Sequence, residues 1–242
     1  MNGASSSIIR GILFDKDGTL LKYNESWEPV NRELARIAAD GNAALADHLL
    51  LACGMDPETG AIIPDSLLAA GNTVEIARGL VAAGSPLEVK ALTARLDALF
   101  TAATDFAVPV ADLAPLFARL KSLGYMLGIA SSDNEHSIRK MARRFGIDSM
   151  VDFVAGYDSG FGGKPEPGMV LAFCAAVGLP AHEIAMVGDN NHDLHMGRNA
   201  GTGLRIGVLT GTGSRDSLSA AAHYCLEDIT QLESVLPHKS HA

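Results

Sequence analysis

The sequence predicts an α/β fold in which a doubly wound parallel sheet carries an inserted all-helical subdomain. Short apolar runs alternate with amphipathic helical stretches over much of the 242-residue chain, as in repeated βαβ units. Glycine follows the last apolar position of these helical stretches, which is the usual signal of a helix C-terminus. One long region, from Leu21 to about Ala107, breaks the alternation because it has helical patterns and no convincing strand.

The first apolar run, residues 8–14, is rich in isoleucine and ends abruptly at the polar sequence that begins with Asp15. Such a run predicts a strand that is buried on both faces of a parallel sheet. Similar runs at 125–130, 151–155, 184–187 and 204–208 predict four more strands. Helical spacing of apolar residues before Gly124, Gly146 and Gly178 predicts helices between them. Right-handed crossovers would join these strands into a Rossmann-like core.

The helical region carries its own start signals. Asn72-Thr73-Val74-Glu75 opens one helix, and Ser85-Pro86-Leu87-Glu88 has the form of a capping box that opens another. This region holds 12 acidic and 6 basic residues, and therefore −6 of the total net charge of −9. We expect a core of residues 1–20 and 108–242, with residues 21–107 as a separate helical subdomain.

Composition excludes several classes of protein. With 48% hydrophobic and 19% charged residues, the chain is not a disordered protein. The acidic balance and the lack of any lysine or arginine run argue against nucleic acid and against an anionic membrane surface as partners. No apolar stretch reaches the roughly 18 residues of a spanning helix. Because the N-terminus also lacks a signal-peptide pattern and the 3 cysteines lie far apart, we expect a cytoplasmic protein.

Polar residues fall where a doubly wound sheet places its active site, at the carboxyl ends of strands. Carboxylates supply the hard oxygen ligands that Mg²⁺ prefers, while lysine and hydroxyl groups can bind phosphoryl oxygens. The pattern therefore predicts a magnesium and phosphate site. Its candidate residues are Asp15, Asp17, Ser131, Ser132, Lys164, Asp189 and Asp193.

In order and in context, these residues resemble the four motifs of the haloacid dehalogenase superfamily. The sequence Asp15-Lys16-Asp17-Gly18-Thr19-Leu20 matches the DxDGT[LV] signature. Ser131 matches the hydroxyl residue of the second motif and Lys164 the lysine of the third, while Asp189 and Asp193 match the GDxxxD form of the fourth. The helical insert resembles the class-1 cap of that superfamily. Among its members, the chain most resembles phosphoglycolate phosphatase-like hydrolases.

The resemblance implies a Mg²⁺-dependent phosphomonoester hydrolase that acts through an aspartyl-phosphate. It assigns the catalytic roles to Asp15 as nucleophile, Asp17 as general acid and base, and Lys164. It assigns substrate binding to Ser131, Ser132 and Lys164. Metal binding falls to Asp15, Asp17 and Asp189, with Gly18, Thr19 and Asp193 as supporting residues. True dehalogenases lack the second aspartate of the first motif, so the presence of Asp17 disfavours dehalogenation.

Two other functions remain open on the sequence: a β-phosphoglucomutase-like mutase, and a non-catalytic binding module that keeps the fold. We expect a small phosphorylated metabolite as substrate, with phosphoglycolate favoured by the resemblance, and a monomer or homodimer. An acidic cap is a poor attractor for a second phosphate. Tyr23, Asn24 and Trp27 are expected to pack near the cap hinge. Any carboxylate contact would have to come from the cap bases, Lys22, Arg32, Arg36, Arg78, Lys90 and Arg95.

Overall fold

Six parallel strands form one sheet in the computed structural model of the chain, which describes residues 8–236. The strands are β1 (Gly11–Phe14), β2 (Met126–Ala130), β3 (Phe153–Ala155), β4 (Ile184–Gly188), β5 (Leu204–Val208) and β6 (Tyr224–Leu226). Their order in the sheet is β3-β2-β1-β4-β5-β6, and every neighbouring pair is parallel. The predicted doubly wound parallel sheet is therefore confirmed. β6 is not among the strands predicted from the sequence.

Helices follow the strands and also fill the long insert between β1 and β2. Within residues 8–236 the α-helices are α1 (Tyr23–Ala38), α2 (Ala43–Cys53), α3 (Leu67–Ala70), α4 (Thr73–Ala82), α5 (Val89–Ala103), α6 (Leu113–Ser122), α7 (Glu135–Arg144), α8 (Gly168–Val177), α9 (Asn191–Ala200) and α10 (Arg215–Leu218). No helix in this described part of the chain has both the length and the apolar character that a membrane crossing needs.

The sheet separates two apolar layers, because successive residues of a strand point to opposite faces. Ile12 and Phe14 of β1 belong to one buried cluster, together with Phe117 of α6. Leu13 belongs to the cluster on the other face, together with Phe173 of α8. All five side chains are fully buried, so β1 lies in the middle of the core and its end is held firmly in place.

Residues of the insert bury a third apolar cluster among themselves. It joins α1, α2, α4 and α5 through buried side chains such as Leu34, Leu49, Leu80 and Leu96. A separate cluster is what an independent helical subdomain requires. The proposed boundaries of that subdomain, 21 and 107, stay a prediction.

Two predicted helix starts have different outcomes. The capping box at Asn72 is present, since the Asn72 side chain accepts from the N–H of Glu75 and the Glu75 carboxylate accepts from the N–H of Asn72. The prediction of a capping box at Ser85 is wrong, because α5 begins only at Val89. The Ser85 hydroxyl instead donates to the carbonyl of Ala38, 2.6 Å away at the end of α1, and so ties two helices together.

Candidate active site

The ends of β1 and β4 bring Asp15 and Asp189 together. These strands are neighbours in the middle of the sheet, where the strand order reverses. Ligand sites of open α/β sheets lie at this reversal, outside the carboxyl ends of the strands. The N–H of Asp15 donates to the carbonyl of Val187, so the first residue beyond β1 is fixed against β4 at 2.8 Å. Both aspartates are buried.

Lys164 lies between two carboxylates. Its Nζ is 2.5 Å from Oδ1 of Asp15 and 2.6 Å from Oδ1 of Asp193, and only 3% of its side chain is exposed. Burial lowers the pKa of Lys164, but the attraction of the two carboxylates outweighs burial and the net pKa is raised. The loop that carries Lys164 is held to α9 by Asn199, whose Nδ2 donates to the carbonyl of Pro165 at 2.9 Å. Lys164 is therefore a permanent cation at the end of β1.

Asp15, Asp189 and Asp193 form a cluster that fits a divalent metal ion. One carboxylate oxygen of each lies within 4.8 Å of the others. Burial raises the pKa of Asp15 to about 6, although Lys164 opposes this shift. Burial, followed by repulsion from Asp15 and Asp193, raises the pKa of Asp189 well above its usual value. Three buried oxygen ligands that repel one another are a donor set suited to Mg²⁺.

Glycine is required where the first motif passes Asp189. Gly18 has φ +81°, and a Cβ there would lie 2.5 Å from Cγ of Asp189. On the other side, the N–H of Thr212 donates to Oδ2 of Asp189 at 2.8 Å. A side chain at Gly18 would therefore displace the carboxylate as well as strain the backbone. Thr19, the next residue, is fully buried and its Oγ1 makes no hydrogen bond within residues 8–236.

Asp17 lies apart from the three-carboxylate cluster. Its carboxylate is 2.7 Å from Nζ of Lys16, and it accepts a 2.7 Å hydrogen bond from Nε1 of Trp27. Burial raises the pKa of Asp17 to about 6, and attraction to Lys16 opposes that shift. The metal role expected for Asp17 stays a prediction, because its side chain is directed to Lys16 and Trp27 while Asp193 completes the cluster. A carboxyl group with this pKa can both give and take a proton near neutral pH.

Ser131 and Ser132 follow β2 and differ in what they contact. Oγ of Ser131 is buried and accepts from the N–H of Asp133 at 3.1 Å, so its own proton can be donated to a ligand. Oγ of Ser132 donates to the carbonyl of Ala70 in the insert at 3.3 Å. Ser131 thus keeps a hydroxyl proton that a ligand could accept, whereas Ser132 joins the core to the insert.

A small cavity of about 70 Å³ connects these residues to the insert. We call its core-derived side the floor, which consists of Asp15, Asp17, Ser131, Ser132, Asp133, Lys164, Asp189, Asn190, His192 and Asp193. We call its insert-derived side the roof, which consists of Tyr23, Trp27, Asn31, Leu68, Ala69, Ala70, Gly71, Thr73, Ile76 and Phe100. Seven of the nine residues predicted for the site line this cavity; Gly18 and Thr19 lie beside it.

Sequence reasoning missed several residues of the site. Lys16, inside the first motif, pairs with Asp17 and also lies 2.9 Å from Oδ2 of Asp133. Trp27 was expected to pack near a hinge, yet its indole binds Asp17 and its ring lies 5.4 Å from Nζ of Lys16. The position of Lys16 between two aspartates was a signal for an ion pair. Nothing in the sequence showed that Trp27 or Asn31 faces the cavity.

Comparison with known proteins gives consistent matches. A family model described as haloacid dehalogenase-like hydrolase matches residues 9–201. The chain is similar to the probable phosphatase IndB of Dickeya dadantii (strain 3937), with 38% identity over 46% of this chain and 48% of that protein. It is also similar to the pyrophosphatase PpaX of Bacillus velezensis, with 32% identity over 47% of this chain and 52% of that protein. The chain thus spans about half the length of the curated relatives it matches.

A solved structure extends the comparison to the whole fold. The crystal structure of a predicted phosphoglycolate phosphatase from Haemophilus somnus 129PT superposes with a TM-score of 0.71 at 18% identity. The match covers 97% of this chain and 100% of that one. At this identity the similarity concerns the fold, including both the sheet and the helical insert.

Proposed function

The chain belongs to the haloacid dehalogenase-like hydrolase family, and from this we propose that it is a Mg²⁺-dependent phosphomonoester hydrolase that acts through an aspartyl-phosphate. The observation that carries the proposal is the placement of Asp15. Its carboxylate lies at the end of a central strand, in contact with Lys164 and within one cluster with Asp189 and Asp193. A buried carboxylate between a fixed cation and a metal-binding pair is suited to attack phosphorus.

In the first half of the reaction, an oxygen of Asp15 forms a bond to phosphorus as the bond to the leaving alcohol oxygen breaks. Asp17 gives its proton to that oxygen, which leaves as the neutral alcohol. Lys164 offsets the negative charge of the phosphoryl oxygens, and the hydroxyl of Ser131 donates to one of them. Trp27 and Lys16 hold the carboxyl group of Asp17 in place during the transfer.

In the second half, water attacks the aspartyl-phosphate. Asp17, now ionised, takes a proton from the water. The water oxygen bonds to phosphorus as the bond between phosphorus and the Asp15 oxygen breaks. Inorganic phosphate and the original Asp15 carboxylate result. Asp15, Asp189 and Asp193 would hold Mg²⁺, which when bound supplies positive charge that offsets the anionic carboxylate and phosphate.

The proposal covers a small phosphorylated metabolite as substrate and a cytoplasmic monomer or homodimer. The insert supports it in one respect: the roof lies over the floor and partly shields the site from bulk water. Phosphoglycolate, the compound favoured by the sequence resemblance, stays a prediction.

The proposal is tested by incubating the metal-loaded protein with a simple phosphate monoester and measuring inorganic phosphate. Acid quenching followed by mass spectrometry should show one phosphoryl group on the peptide that contains Asp15. An isomerised phosphate ester without net phosphate release would instead indicate a mutase. No turnover of any monoester, with intact folding and bound Mg²⁺, would indicate a binding module.

A further inference from the structure

The roof of the cavity carries no cationic side chain within the described residues. Each of the six cap bases that could have bound a carboxylate lies elsewhere. Lys22, Arg32 and Arg36 pair with glutamates of α1 at 2.9–3.0 Å. Arg78, Lys90 and Arg95 are exposed and do not line the cavity. The part of the substrate beyond the phosphate therefore meets no positive charge from the insert.

The floor adds to this effect. Five carboxylates line it, Asp15, Asp17, Asp133, Asp189 and Asp193, against Lys164 and the buried Lys16 behind Asp17. With Asp17 protonated, as it is before it gives its proton to the leaving oxygen, the formal charge is −2 without a metal and 0 with one divalent cation. One phosphate group is bound by local donors and makes the site negative, so a second anionic group would enter a site of low dielectric with no lysine or arginine left to pair with it.

What the roof does offer is apolar surface and two buried polar atoms without a hydrogen-bond partner in the described part of the chain, Nδ2 of Asn31 and Oγ1 of Thr73. Trp27 and Phe100 meet edge to face with ring centroids 4.9 Å apart, and Leu68 and Ile76 extend the same apolar surface. Asn31 lies among them with 2% of its surface exposed, and its Nδ2 has no acceptor at hydrogen-bond distance within residues 8–236 apart from an interaction with the Tyr23 hydroxyl. A buried amide hydrogen without an acceptor is unfavourable, so a ligand oxygen that accepts it is favoured.

We propose that this cavity selects phosphate monoesters of small uncharged alcohols that present an apolar carbon surface and one hydroxyl or carbonyl oxygen to Asn31. It discriminates against substrates with a carboxylate or a second phosphate, including phosphoglycolate and pyrophosphate. The inference rests on the proposed hydrolase function and refines it, because it concerns the leaving alcohol rather than the reaction.

A nearly isosteric pair of substrates tests the charge directly. 2-Hydroxyethyl phosphate and 2-phosphoglycolate differ in a hydroxymethyl group against a carboxylate. At fixed pH and saturating Mg²⁺, we expect kcat/KM to favour the neutral ester by at least about tenfold, which is about 1.4 kcal/mol of transition-state discrimination. Pyrophosphate should fall below both. Equal values, or a preference for phosphoglycolate or pyrophosphate, would overturn the inference while leaving the hydrolase function intact.

Asn31→Leu tests the donor, because leucine keeps the shape of the amide and removes its hydrogen bond. We expect about a tenfold rise in KM for 2-hydroxyethyl phosphate, little change in kcat, and little change of either constant for propyl phosphate. Arg36→Ala, on the exposed face of the same helix, is the matched control. It should leave kcat and KM unchanged for both substrates. An equal loss for both esters in Asn31→Leu would mean that Asn31 has only a structural role.

Binding separates failure of the inference from failure of the proposed function. Asp15→Asn protein should bind 2-hydroxyethyl phosphate more tightly than 2-phosphoglycolate in calorimetry, whether or not the wild type turns either over. If phosphoglycolate binds more tightly, and His192→Gln abolishes that preference, then His192 supplies the carboxylate contact and the inference is wrong. Absence of turnover together with the expected order of affinities would reject the hydrolase function alone.

Discussion

The floor and the roof of the cavity differ in charge and in the way the fold supplies them. The floor consists of residues at strand ends and helix starts, where parallel topology brings backbone and polar groups to one edge. The roof consists of helix faces in the insert, and its large side chains are mostly aromatic and aliphatic. The floor is thus built to hold charge, which the chemistry needs, and the roof to contact the uncharged part of a substrate. The first group of experiments asks whether chemistry depends on the floor alone.

Asp15→Asn should have the largest effect. An amide is a poor nucleophile, so we expect kcat to fall at least about 1,000-fold, as when a nucleophile is removed from other enzymes. The thermal midpoint should change little, because Lys164 keeps its ion pair with Asp193. Asp216→Asn is the matched control, since Asp216 is exposed and should tolerate the same change. A folded Asp15→Asn protein with near-normal turnover would show that Asp15 is not the nucleophile.

Metal removal should have the next largest effect. Without a cation, the cluster of Asp15, Asp189 and Asp193 keeps its mutual repulsion, and we expect at least about 100-fold loss of activity in excess chelator. Added Mg²⁺ should restore activity and raise the thermal midpoint together, because a ligand that binds only the folded state stabilises it. Full activity in excess chelator would show that the floor works without a divalent metal.

Much of the floor can be predicted from sequence, for a physical reason. Asp15 and Asp189 each follow a buried apolar run at once, and the carboxyl ends of neighbouring parallel strands share one edge of the sheet. Lys164 needs more than this rule, since it lies in a loop beyond the short strand β3. The order of the motifs, rather than local pattern, placed it among the candidates. The position of Lys16 between two aspartates indicated an ion pair, but it did not show that the partner is Asp17, because a side chain between two acidic residues can point either way.

The roof could not be predicted in the same way. Helical spacing from Leu92 to Phe100 indicates that Phe100 is buried, but it does not show whether Phe100 is buried by its own subdomain or by a cavity. Asn31 has no sequence signal, since a buried asparagine on a helix looks like any polar residue on the exposed face. The charge count indicated an acidic cap, and it did not show that the basic residues lie away from the cavity.

Trp27 sharpens the comparison, because it belongs to the roof and binds an acid of the floor. Trp27→Phe keeps the ring that packs against Phe100 and removes the 2.7 Å hydrogen bond to Asp17. A lost bond to the charged carboxylate favours its protonated form, so the pKa of Asp17 should rise. We expect the alkaline limb of the kcat profile to move up by about one pH unit. Tyr23→Phe is the control, because the Tyr23 hydroxyl donates to the carbonyl of Leu68 rather than to Asp17. A shift of the same size in both variants would mean that general packing, and not the indole N–H, determines the pH of the alkaline limb.

The smallest expected effect concerns the stability of the metal-free floor. Burial and two neighbouring carboxylates raise the pKa of Asp189 in the folded protein above its value in the unfolded chain. Between these two values the unfolded chain releases the proton and the folded protein keeps it, so this residue lowers the stability as pH rises. Asparagine cannot ionise, and the loss should be absent in Asp189→Asn.

We therefore expect metal-free Asp189→Asn to gain in thermal midpoint over wild type as pH rises from about 4.5 to about 7.5, by roughly 2–4 °C for each kcal/mol of relieved repulsion. Calorimetry of both proteins at the two pH values measures this difference, and Asp216→Asn should show none. Saturating Mg²⁺ should reverse the sign, since only wild type keeps the full ligand set. A difference that is constant with pH would mean that repulsion among the floor carboxylates does not limit the fold. In that case the charged floor would lower the stability of the metal-free protein no more than the uncharged roof does.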